Sequence, residues 1–153
     1  MRLEKRKPSG REKDEASIKL LAQLREKLYS EHIGTARQAA FNLSWMQEDG
    51  LDILKEALFS KVARSTKRAA AYGLRKMRGR MEKAALEILS VGLKHHDKSS
   101  AVVCQNALLV LMKKAPGKFS TEQKTLIGKF EIRQIKAKSK FNSSREKVNR
   151  RKT

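Results

Sequence analysis

Two stretches, Thr35-Ala-Arg-Gln-Ala-Ala-Phe-Asn-Leu43 and Thr66-Lys-Arg-Ala-Ala-Ala-Tyr-Gly-Leu74, match in residue type at most positions. The match continues to Met46 and Met77, and the second copy starts 31 residues after the first. A fainter third copy runs from Ala101 through Leu109 to Met112, a further 35 residues on. Each copy sets small residues and leucine three and four apart, which is the period of one helical stripe. After the first copy come Leu51, Leu54, Ala57 and Leu58; after the second come Met81, Ala84, Ala85, Ile88 and Leu89, in the same spacing. A unit of this length that recurs as a helix pair marks an α-solenoid, in which each repeat buries the apolar face of its neighbour.

The reading extends outward in both directions. Ile18, Leu21, Leu24 and Leu28 form one more helical stripe ahead of the first copy. Gly34, Gly50 and Gly117 are expected in turns or helix C-caps, where a residue tolerant of positive φ is wanted. Pro116 requires that a helix has already stopped. Ser120 and Gln123 have capping-box spacing ahead of Leu126, Ile127 and Phe130, so a last helix is expected there. The third copy carries Val102, Val103, Asn106 and Val110 at outward positions, and a helix apolar nearly all round belongs inside. The Leu126, Ile127, Phe130 and Ile135 helix is therefore expected to fold back over it. No alternating strand pattern is present. The expected fold is all-α: a short α-solenoid of antiparallel helix pairs, about three repeats across residues 14–135, with a C-terminal capping helix. Residues 1–13 read as a basic flexible arm and residues 136–153 as a basic disordered tail.

The stretch from Thr66 to Met77 resembles the first helix of a HEAT repeat: a small residue, basic residues, an alanine run, then leucine and a closing aliphatic. The segment from Met81 to Lys94 is similar to the leucine-rich partner helix of that family. The resemblance covers about residues 17 to 113 and implies an architecture. HEAT folds serve scaffolds, enzyme subunits and nucleic-acid binders alike, so it implies no particular chemistry.

The charge balance does carry a functional expectation. The 153 residues hold 36 Lys plus Arg against 16 Asp plus Glu, a formal net charge of +20. Such an excess repels itself and fits a polyanionic partner. On the helix from Arg64 onward, Thr66, Ala70, Gly73, Leu74 and Met77 share one side at 100° per residue. Arg64, Lys67, Arg68, Arg75 and Arg78 collect opposite them around Ala71, flanked by Lys61, Lys76, Arg80 and Lys83. Arg64 and Arg68, and likewise Lys76 and Arg80, are like charges four apart, each pair unfavourable by a few tenths of a kcal/mol (roughly). Repulsion of this kind is expected where the compensating charge belongs to a partner. In the first copy, only Arg37 keeps this character.

Enzymatic signals are missing from the sequence. Cys104 is the one cysteine, so neither an intramolecular disulfide nor a cysteine-built metal site is expected. His32 is isolated, and His95 and His96 are adjacent, which on a helix would point them about 100° apart. No glycine-rich phosphate loop or nucleophile motif occurs. No metal, cofactor or small-molecule substrate is expected. Trp45 is expected to close the end of a repeat helix against the core, with Asp49 capping the next helix. Phe41, Tyr72 and Phe130 lie in or beside core stripes, so backbone contact with duplex DNA or structured RNA is expected rather than base stacking. The alternative is a protein–protein scaffold with an acidic protein partner. No secretory h-region or membrane-spanning run is present, so no membrane partner is expected and the setting read from the sequence is cytoplasmic, on the nucleoid or the ribosome.

Overall fold

A computed structural model describes residues 14–150, and the helices account for nearly all of them. Among the described residues the elements are α1 (Glu15–Leu28), α2 (Ile33–Trp45), α3 (Gln47–Phe59), α4 (Arg64–Lys76), α5 (Arg80–Leu93), α6 (Lys98–Lys114), a 3-10 turn (Pro116–Lys118) and α7 (Thr121–Arg150). The described residues contain no strand, and the fold is all-α. The expected arm, residues 1–13, lies outside the described residues. The chain divides into two compact units, residues 1–86 and 87–153, with the division inside α5.

In the first unit α2 packs on α1, α3 and α4, and α4 packs on both α2 and α3. The two helices that carry the clearest sequence repeat are therefore direct neighbours. Leu24 and Leu28 of α1, Ala39, Ala40 and Leu43 of α2, Leu54, Ala57 and Leu58 of α3, and Ala69, Ala70 and Leu74 of α4 are buried together as its core. Truncating a leucine here to alanine typically removes about 2–5 kcal/mol. The alanine-rich faces let helices approach until backbone meets side chain. A Cβ on Gly73 would lie 2.8 Å from the Ala40 carbonyl oxygen of α2 and 2.8 Å from a methyl of Leu54.

Gly50 makes the tightest approach. It is not in a turn, as the sequence suggests, but inside α3, where a Cβ would lie 1.8 Å from the Leu43 carbonyl oxygen. Its smallness is thus a matter of helix contact and not of φ. Gly34 falls in the first turn of α2 and Gly117 in the 3-10 turn. The positive-φ positions among the described residues are Gly79, after α4, and Gln47, at the abrupt α2–α3 junction.

In the second unit Asp97 caps α6, its carboxylate accepting from the Ser99 amide at 3.0 Å and from the Ser100 hydroxyl at 3.1 Å. Pro116 follows the end of α6, as expected. The Ser120–Gln123 capping box forms: the Gln123 amide donates to Ser120 Oγ at 3.3 Å and the Ser120 amide to Gln123 Oε1 at 3.0 Å. The first turns of α7 then pack on α6 and bury Ile127. Val103 and Cys104 of α6 are buried, while Val102 and Val110 are half-buried and Asn106 is exposed. The covering is shorter than expected, because Ile135 is 61% exposed. The helix also continues through residues 136–150, where composition suggests a disordered tail. No glycine or proline follows Gly128, and Lys, Arg, Ala, Gln and Glu all propagate a helix well once the capping box has nucleated it.

Candidate nucleic-acid interface

The basic character of α4 survives in three dimensions, but its outward face is turned from the expected one. Lys67 is only 2% exposed and Ala71 is buried, so both belong to the interior. The buried arc runs from Ala69 through Thr66 and Leu74 to Ala71, which at 100° per residue is about 200° wide. A single core side does not account for such an arc; a helix covered on more than one side does. Lys67 is engaged with other groups there and is removed from the set of phosphate-contacting candidates.

The outward strip that remains holds Arg64, Arg68, Tyr72, Arg75 and Lys76. Arg64 and Arg68 are exposed; Tyr72, Arg75 and Lys76 are half-buried. Arg78, in the turn after α4, is exposed, as are Lys61 before it and Lys83 in α5. Arg80 is exposed too, but its guanidinium is held 3.0 Å from Glu48 of α3, so part of its charge is already met within the protein. Among the described residues no carboxylate pairs with Arg64, Arg68, Arg75 or Arg78. The start of α4 adds to the imbalance. Its N-cap is Ala63, no side chain caps it, and no acidic residue occupies its first turn. Cations at the positive end of a helix dipole are unfavourable, and here Arg64 stands at that end.

Tyr72 organises the cations. The Arg37 guanidinium of α2 lies 4.5 Å from its ring centre, that of Arg75 lies 5.3 Å away and the Lys76 ammonium 5.5 Å away. The π-face offsets part of their mutual repulsion, about 0.5–1 kcal/mol for each exposed cation. The Nε of Arg75 is buried with no hydrogen-bond partner among the described residues.

Sequence reasoning missed the α2 half of this surface. Trp45 does not close the repeat against the core; it is 64% exposed and meets Phe41 edge-on, ring centres 6.2 Å apart at 74°. Asp49 lies in the first turn of α3 and is not its N-cap, which is Met46. The signal was the repeat itself. Arg37, Phe41 and Trp45 stand at the same 31-residue offset from Arg68, Tyr72 and Lys76. Both helices thus carry a cation, an aromatic ring and a third outward group at four-residue spacing.

Elsewhere the chemistry is sparse. No three His, Cys, Asp or Glu side chains converge as a metal site among the described residues. His95 and His96 lie beyond the end of α5, in the turn before α6, with rings 4.2 Å apart. Cys104 is buried and is not part of a disulfide. Among the described residues, no helix is long and apolar enough to cross a membrane. Comparison with models of known protein families, with curated proteins and with solved structures finds no match for this chain.

Proposed function

We propose that this chain is a non-enzymatic, HEAT-type nucleic-acid-binding module that grips the phosphate backbone through the outer face of α4. The observation that carries the reading is the set of arginines, Arg64, Arg68, Arg75 and Arg78, left without carboxylate partners among the described residues on one helix and its following turn. α4 is 13 residues long, so the row spans about 20 Å. Planar guanidinium groups suit bidentate contact with phosphate oxygens. Lys61, Lys76 and Lys83 add point charges at the edges of the row. In the second unit, Lys136, Lys138 and Lys140 carry further cations on α7.

The test is binding of the full chain to labelled duplex DNA and to structured RNA across a salt series, alone and with Arg64, Arg68, Arg75 and Arg78 changed to Gln. Four phosphate contacts on duplex DNA give a log–log slope of about −3.6. The variant flattens that slope and loses most binding near physiological salt. Unchanged binding in the variant refutes the face.

A second reading, a scaffold for an acidic protein, is favoured by the exposed apolar side chains Ile18 and Ile33 of α1 and α2, which a phosphate backbone does not need. Failure to bind either nucleic acid at physiological salt would make it the better one.

A further inference from the structure

We propose that Trp45 stacks on an unpaired base of the bound nucleic acid, so that this surface takes single-stranded or looped segments in preference to continuous duplex. The inference rests on the nucleic-acid reading above and deepens it.

Three observations converge on it. Trp45 is a large aromatic side chain left 64% exposed, beside a second ring, Phe41, that holds it edge-on. An indole exposed in this way leaves a π-face open to a flat partner, and neighbouring contact limits its freedom. Phe41 and Arg37 lie about one and two turns before Trp45 on α2, at positions that drift by about 40° per four-residue step and so share a face. Arg37 reaches across to the Tyr72 ring of α4 at 4.5 Å, which joins that face to the arginine row. The surface is therefore aromatic and cationic together.

That combination selects the occupant. An acidic peptide would satisfy the cations but has no general use for an open indole. A continuous duplex satisfies the cations but keeps its base faces stacked on one another. An unpaired nucleotide offers both an anionic backbone and a free π-face, and every base has such a face, so the contact is tolerant of sequence. The phosphates flanking the stacked base would be met by Arg37 and by the guanidinium row on α4. Phe41 and Tyr72, which the sequence places in or beside core stripes, are each half-buried, so part of each ring stays outside the core.

Trp45 is the only tryptophan in the chain, so its fluorescence reports this site alone. The full chain is titrated with a single-stranded oligonucleotide, with a duplex of equal length and with inorganic polyphosphate, which carries charge but no base. Binding is followed in parallel by anisotropy, using competition for polyphosphate. The expected result is quenching of Trp45 by the single strand and none by polyphosphate, although both bind. W45A, checked for helicity by circular dichroism, binds the single strand roughly 5- to 100-fold more weakly. W45F retains most of the affinity, and polyphosphate binding is unchanged in both variants. Single-strand binding without quenching, or W45A affinity within twofold of the parent, overturns the stacking proposal and leaves the phosphate reading standing. Absence of binding to all three polyanions overturns both.

Discussion

Replacing Gly50 with alanine adds one methyl group at the point where α3 meets the backbone of α2. In an isolated helix this change stabilises, by about 1 kcal/mol, because glycine is a poor helix former. Here the new Cβ would stand 1.8 Å from the Leu43 carbonyl oxygen, whereas ordinary contact begins at 3.4 Å. The helices must part by about 1.6 Å, the difference between those two distances. The obstacle is a main-chain atom of a fully buried residue, so no side-chain rotation relieves it. Overpacking of a close-packed interior commonly removes 1–3 kcal/mol (roughly), and an immovable obstacle belongs at or above the top of that range. The expected net loss is about 3 kcal/mol, or a Tm lower by more than about 10 °C in a unit of this size. Gly34→Ala is the control, since a Cβ there meets nothing within 4 Å. Thermal melts by circular dichroism should rank Gly34→Ala at or above the parent, Gly73→Ala below it and Gly50→Ala lowest. A Gly50→Ala protein melting within 2 °C (about 0.5 kcal/mol) of the parent would refute the packing argument.

Lys67→Gln separates burial from binding: it should lower the melting temperature and leave the salt slope of nucleic-acid binding unchanged, whereas Arg68→Gln should reduce that slope by about 0.9 and barely move the melt. Arg80→Gln and Glu48→Gln should each change stability by well under ~1 kcal/mol in denaturant titrations, because the Arg80 side chain is 71% exposed and its pairing is screened by solvent. Ser120→Ala removes the acceptor for the Gln123 amide and should weaken α7 by about 1 kcal/mol, read as faster amide hydrogen exchange in its first turns.

The helical class and the paired repeats were legible because a 3.6-residue period written twice at a fixed offset leaves little room for another fold. The capping box at Ser120 and the stop at Pro116 were legible for a similar reason, since each is a local rule obeyed locally. What the sequence hid is the width of contact around a helix. Lys67 reads as outward because lysine is rarely buried, yet α4 is covered over so wide an arc that its position falls inside. Gly50 reads as chain punctuation because propensity knows only the backbone, while its role, like that of Gly73 on the core side of α4, is the distance between two helices. Trp45 reads as core because tryptophan is mostly apolar; its place at the last residue of α2 leaves it on the rim. The arginine row survived because charge is conspicuous, and the rings among the arginines did not, because each alone resembles packing.

Cys104 gives the second unit an internal clock. It is the chain's only thiol and is fully buried in α6, so a thiol-reactive reagent can reach it only through a transient opening of that helix. The modification rate at low reagent concentration therefore measures the free energy of that opening. Gly50 lies in the other unit, so the same rate measured in Gly50→Ala asks whether damage in one unit loosens the other. A rate raised in step with the lost stability marks a single cooperative fold; an unchanged rate marks two units that open on their own schedules.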